Sequence, residues 1–323
     1  MKAVLEKYHC MGNDYLVFDP NKNEMKLGEE QVKMLCDRNF GIGSDGILEG
    51  PILDGEQMYV KIYNPDGSEA PKSGNGMGIF ARYLRDAGYV QKTKVSWMTL
   101  GGPVTVYYLN EEGTRVKISM GKPTFWSDEI PVTGERREMV NQTMVFGKIP
   151  YITTCLSIGN PHCVIWMNEI SKELVCRIGE HSENAPCFPE KVNTQLLNVL
   201  DRTNIQIEIY ERGAGYTLAS GSCACAAACA ANRLGLADRN MYVHMPGGIL
   251  EVEIKEDGVV YMTGEVGYIG NMTLGCEMVE KLRKATLGSM PKKAAVFAHS
   301  TATSASFWAA DTVTLPSLST VSS

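Results

Sequence analysis

The chain has 323 residues, 44% hydrophobic and 21% charged, the ordinary balance of a globular protein of about two domains. A formal charge of -6 and a pI near 5.5, with no concentrated basic face, argue against nucleic acid as a partner. The start, Met1-Lys2-Ala3-Val4-Leu5-Glu6-Lys7, is too short and too charged for a secretion signal, and no stretch has the apolar length of a membrane span, so a cytoplasmic protein with no membrane partner is expected.

Residues 1–19 alternate as two strands around Gly12-Asn13-Asp14, residue types that a plain hairpin turn would favour equally well. Glu29 to Arg38 carries Val32, Leu35 and Cys36 at helical spacing. The loop Gly41-Ile42-Gly43-Ser44-Asp45-Gly46 follows. It lacks the Lys-Ser/Thr ending of a nucleotide loop and the spacing of a dinucleotide fingerprint.

Met58, Val60 and Ile62 predict a strand that ends in a tight turn, Asn64-Pro65-Asp66-Gly67. Ser73 suits a helix N-cap, Gly74-Asn75-Gly76 lets a guest approach the backbone, and Ile79, Phe80, Tyr83 and Leu84 form an apolar face. The unpaired N–H groups of such a helix start can hold a carboxylate or phosphate. Val95 to Trp97, Val104 to Leu109 and Val116 to Met120 then read as strands wrapping that helix.

The plan repeats. A shift of 147 positions carries Tyr63 onto Tyr210, Ser73-Gly74 onto Ser220-Gly221, and Gly12-Asn13 onto Gly159-Asn160 without a gap. That period is the size of a domain, so two similar halves are expected. The second half adds a turn at Gly159-Asn160-Pro161-His162, a strand Cys163 to Trp166, a helix from Ser171 to about Ile178 and a strand Ile205 to Tyr210. Strands at Leu250 to Ile254 and Val259 to Met262 close it. His162 alone reads as a core histidine bonded to backbone.

Most of the ten cysteines, in a chain without a secretion signal, are expected to be reduced and buried. Cys223, Cys225 and Cys229 lie among alanines, the pattern of a tightly packed helix rather than a metal loop, and no metal is expected. From Ala294 to Ser323 the only formally charged side chain is Asp311 and Ser, Thr and Ala dominate, which predicts disorder or loose packing. The fold class expected is α+β: two pseudo-symmetric domains, each an antiparallel barrel-like sheet around a central helix. The boundaries expected are 1–121 with 266–282, 122–265, and a tail at 283–323.

Two facing helix starts, each with a serine beside it, would converge on a carboxylate. That geometry suits inversion at the neighbouring carbon, with one group removing a proton and another delivering one to the opposite face. In combination, Gly12-Asn13-Asp14, Gly41 to Gly46, Asn64 to Gly67, Gly74-Asn75-Gly76, Gly159 to His162, Glu211-Arg212-Gly213 and Gly221-Ser222 resemble the diaminopimelate epimerase family over essentially residues 1–282. This resemblance implies a cofactor-independent amino-acid racemase or epimerase of lysine biosynthesis, a small-molecule amino-acid substrate as its partner, a possible homodimer, and a site between the two barrels. It further implies that Asn64, Asn160, Asn193, Glu211 and Arg212 hold the distal end of the substrate, while Asn13, Ser44, Gly74, Asn75, Gly221 and Ser222 line the reacting end. Arg212 could grip a carboxylate bidentately and Glu211 an ammonium, although a surface ion pair of the two is the plainer alternative.

The family's two proton-exchanging residues are cysteines, and here they are Ser73 and Ser220. Tyr216 and Gly78 also depart from the family pattern, standing where an acidic residue and an arginine are usual. A free serine alkoxide would lie some seven pKa units above a thiolate, adding on the order of 10 kcal/mol to the barrier. Four readings follow. The serines relay protons for a stronger base (His162, Glu211 or Lys72); the enzyme abstracts a proton from one side only, with Lys72 as base; the chain binds ligand without catalysis; or it is an engineered double-serine variant. Diaminopimelate (LL to meso) is the leading substrate, with histidine as an alternative. Simple N-capping by both serines, and a solvated Lys72, are the plain readings of those residues.

Overall fold

The structure is a computed structural model that describes residues 3–288. In the first half, β1 (Val4–Cys10) and β2 (Asn13–Phe18) form the hairpin expected around Gly12, followed by α1 (Glu29–Cys36), β3 (Ile47–Asp54), β4 (Gln57–Tyr63), β5 (Glu69–Ala70), α2 (Gly74–Asp86), β6 (Lys94–Thr99), β7 (Gly102–Tyr108) and β8 (Arg115–Gly121). In the second, β9 (Gln142–Phe146) and β10 (Ile149–Ser157) precede β11 (Pro161–Trp166), α3 (Lys172–Glu183), β12 (Asn193–Asp201), β13 (Asn204–Glu211), β14 (Gly215–Thr217), α4 (Gly221–Arg233), β15 (Asn240–Met245), β16 (Gly248–Ile254) and β17 (Val260–Glu265). The chain then returns through β18 (Gly267–Thr273) and α5 (Cys276–Gly288).

Pairing repeats between the halves. β1 runs antiparallel to β2, β2 parallel to β3, β3 antiparallel to β4, β4 parallel to β6, and β6 to β8 form an antiparallel meander. The series β10, β11, β12, β13, β15, β16 and β17 repeats that sequence of senses. The antiparallel sheet expected is thus interrupted by two parallel pairs in each half. They fall where α1, α2, α3 and α4 intervene, because a parallel neighbour requires a crossover. β8 pairs with β17 and β1 with β18, which joins the halves into one continuous sheet.

The central helices are buried nearly all round, so they form the cores rather than cover them. α2 contributes Met77, Ile79, Phe80, Tyr83 and Leu84, with Phe80 edge-on to Trp97 at 5.1 Å. α4 instead buries Cys223, Cys225, Cys229 and six alanines, Ala224 among them, as the packed small-residue helix anticipated. α1 and α5 share a smaller cluster through Val32, Leu35 and Leu282. Residues 283–288 of the tail are the last turns of α5, and the rest of it, 289–323, lies outside the described residues. Among the described residues no helix is long and apolar enough to cross a membrane.

Candidate active site

A cavity of about 740 Å³ opens where the starts of α2 and α4 meet. Both caps, Ser73 and Ser220, hold extended backbone (φ -140° and -149°), which turns the first N–H groups of each helix toward the same space. Glycine follows each serine where the two helix starts approach each other. A Cβ on Gly74 would lie 3.4 Å from the Gly221 α-carbon, and one on Gly221 would meet Met262 Sδ at 2.7 Å.

The two serines are bonded differently. Ser73 Oγ accepts from the Gly76 N–H at 3.1 Å, the capping bond expected, and lies 3.1 Å from the Tyr15 hydroxyl. Ser220 makes no capping bond. Its hydroxyl donates to Glu211 Oε2 at 2.9 Å and lies 3.5 Å from Ser222 Oγ. Thr217 donates to the other Glu211 oxygen at 2.7 Å. Burial raises the Glu211 carboxyl above its usual range, although the bonds from Thr217 and Ser220 oppose that shift. Capping therefore accounts for Ser73 and not for Ser220.

Glu211 and Arg212 do not pair with each other. The Arg212 guanidinium donates to the Glu190 carbonyl at 2.9 Å, and its backbone N–H donates to Asn193 Oδ1 at 3.0 Å. Asn193 is fixed in turn by donating to the Pro161 carbonyl at 2.8 Å. Asn160 reaches Ser222 Oγ at 3.5 Å, and its Oδ1 lies 2.9 Å from His162 Nε2.

His162 is fully buried behind the cavity wall. Burial pushes its pKa down to about 3, so the ring is neutral and orients Asn160 rather than carrying a proton to substrate. Ser44 is also set back from the wall, its hydroxyl donating to the Gly46 carbonyl at 2.9 Å. The neighbouring Asp45 reaches the wall instead and accepts from Asn13 Nδ2 at 3.0 Å. Asn13 Oδ1 accepts from Asn75 Nδ2 at 3.2 Å, and Asn75 Oδ1 is buried without a protein donor beside Gly221. Asn64 stands on the wall at the end of β4, as expected.

The charges of the wall are unevenly balanced. Arg38 is neutralised by Asp14 and Asp45, each at 2.7 Å. Among the described residues, Lys72 and Arg212 line the cavity without an acidic partner. Lys72 is half-buried rather than solvated, and desolvation lowers its pKa despite the nearby Cys225 thiol. Burial in turn pushes the Cys225 thiol up to about 12. Arg38, Asp45, Thr217 and Tyr15 line the cavity but are not among the site residues expected from the sequence. Tyr15 had a usable signal, since it lies two residues from Asn13 on one strand and therefore on the same face.

The family model for diaminopimelate epimerase matches residues 5–126 and 154–269. A Nostoc sp. strain PCC 7120 protein named diaminopimelate epimerase 2 is 46% identical over 273 residues, covering 84% of this chain and 95% of that protein. A diaminopimelate epimerase of Caldanaerobacter subterraneus is 36% identical over 262 residues, covering 80% of this chain and 95% of its own. The fold is shared with a solved hydroxyproline epimerase from Agrobacterium vitis, at a TM-score of 0.63 and 13% identity over 85% of this chain and 93% of that one. It is shared also with a phenazine biosynthesis protein from Bacillus anthracis, at a TM-score of 0.57 and 14% identity over 85% and 99% of the two chains. On the family model and on relatives 36% and 46% identical over most of the chain, the chain belongs to the diaminopimelate epimerase family.

Proposed function

We propose that the protein is a cofactor-independent amino-acid epimerase acting on diaminopimelate, interconverting the LL and meso forms by proton transfer at the α-carbon between Ser73 and Ser220. One observation carries this reading: two helix starts, each preceded by a serine, abut across a single cavity, and a half-buried carboxylate, Glu211, accepts a hydrogen bond from one of the serines. The substrate α-carboxylate fits between the helix starts, where converging N–H groups stabilise the charge that builds on it as the α-proton leaves.

The Ser220–Glu211 bond answers the objection to an alkoxide at Ser220. If Ser220 passes its proton to Glu211 Oε2 as it accepts the α-proton, no free alkoxide forms. The carboxylate is then the effective base, and its raised pKa makes it a better one. Ser73 supplies the proton on the opposite face. Glu211 thus acts at the reacting end, not as an ammonium clamp at the distal end.

The substrate assignment rests on charge. Lys72 and Arg212 offer two cations without acidic partners to a ligand that carries two carboxylates, whereas histidine or proline offers one. The test is conversion of LL-diaminopimelate followed by chiral chromatography, with L-histidine and L-proline in parallel. Formation of the meso isomer alone supports the reading. Turnover of histidine or proline with diaminopimelate inert contradicts the substrate, and tight binding of diaminopimelate without conversion of any of the three would establish a ligand-binding paralogue instead.

A further inference from the structure

We infer that Tyr15 is a positioning residue of the reaction: its hydroxyl holds the Ser73 proton toward the substrate, so that Ser73 is built as the donating arm and Ser220 as the accepting arm. This inference rests on the epimerase reading and adds to it a direction.

The bonding of the two hydroxyls carries the argument. Ser73 Oγ already accepts one N–H, from Gly76. The described bonds of Tyr15 Oη include no acceptor but Ser73 Oγ, 3.1 Å away, and Tyr15 lines the cavity while its ring is buried. When Tyr15 donates, both lone pairs of Ser73 are filled and the serine proton is left to point into the cavity. Ser220 has the opposite polarity. Its proton is committed to Glu211, so its lone pairs face the cavity.

The ring is held in place for this contact. Gly46 leaves the space it needs, since a Cβ there would lie 2.6 Å from Tyr15 Cε1 and 2.5 Å from the Tyr63 carbonyl. Burial pushes the phenol up to about 12 against the lowering effect of the Ser73 hydrogen bond, with the Glu211 and Asp45 charges adding to the rise, so Tyr15 keeps its proton at neutral pH and remains a donor. In the step itself the α-carbon–hydrogen bond breaks toward Ser220 as the Ser220 proton passes to Glu211. A new carbon–hydrogen bond forms from Ser73 on the other face as the Tyr15 proton moves to Ser73. Glu211 ends protonated and Tyr15 ionised, and exchange with solvent or the reverse reaction restores both.

Tyr15→Phe removes one oxygen and keeps the ring, and Ser73→Ala removes the arm itself. Each is compared with the unaltered protein in deuterium oxide, reading α-deuterium incorporation and stereochemical inversion separately. The expected result for Tyr15→Phe is inversion slowed by about 10²-fold, the scale of a lost general acid, with deuterium exchange preserved in the stereoisomer whose α-proton faces Ser220. Ser73→Ala should show the same split. Equal loss of both readouts in Tyr15→Phe, or no loss of either, overturns the inference while leaving the epimerase reading intact. Absence of exchange and inversion in the unaltered protein would overturn that reading, and this inference with it.

Discussion

Gly74 and Gly221 bring the two central helices into contact: a Cβ on the first would stand 3.4 Å from the α-carbon of the second. The cavity between the halves is narrow at this point because the same short motif begins both helices. Gly221→Ala would push Met262 aside, at a cost of about 1 kcal/mol or more from overpacking, and would put a methyl 3.4 Å from Asn75 Oδ1 in the space assigned to the carboxylate. Urea unfolding should report the modest loss of stability, and calorimetric titration with diaminopimelate a larger loss of affinity. Unchanged affinity would place the carboxylate elsewhere.

The serines should also differ in stability. Ser73→Ala deletes a capping bond and is expected to cost about 1 kcal/mol, lowering the melting temperature by a few degrees. Ser220→Ala deletes no cap, but it leaves half-buried Glu211 with one donor fewer. Its destabilisation should therefore grow as pH rises and Glu211 ionises, whereas that of Ser73→Ala should not. Melting curves at several pH values would compare them.

The pH dependence of turnover should follow Glu211. Its folded-state pKa is raised, so the basic form is lost as pH falls through a value above the ordinary carboxylate range, and the rate rises with pH across that window. By the same linkage, the raised pKa favours the folded state most below the unfolded pKa, and this contribution is lost as pH rises through the folded pKa. No limb should come from His162, which at about 3 is already neutral, and the Tyr15 limb near 12 lies beyond the usual assay range. A limb that vanishes in His162→Gln, rather than in Glu211→Gln, would reassign the base.

Restoring thiols offers a direct gain-of-function prediction. Cysteine at a helix N-terminus ionises near or below its usual pKa of about 8.5, several units below an alcohol. Ser73→Cys combined with Ser220→Cys should raise the α-proton exchange rate at least about tenfold, each pKa unit being worth about 1.36 kcal/mol in the protonation equilibrium. A slower double variant would mean that the site is tuned around hydroxyls and their Glu211 and Tyr15 partners.

Much of the architecture was legible because the chain states it twice. Tyr63 and Tyr210, Ser73 and Ser220, and Gly12 and Gly159 share one offset, and that offset is the pseudo-symmetry of the strand pairings. Strand sense was less legible: alternation in Met58, Val60 and Ile62 marks a strand, but its partner is chosen only after α2 crosses over. Within the site, residue types were visible and bond directions were not. Ser220 reads as a cap, and only the turn through β14 brings Glu211 near enough to take its proton. His162 shows the converse, a chemically capable side chain whose burial behind Asn160 leaves it a supporting role.

The central claim is carbon-acid chemistry performed through serines, and deuterium uptake at the α-carbon measures it most directly. The unaltered protein is incubated with LL- and with meso-diaminopimelate in deuterium oxide, and loss of the α-proton signal is followed by NMR. The account predicts deuterium at the α-carbon together with appearance of the other stereoisomer. Binding of both compounds with the α-proton signal unchanged would contradict it.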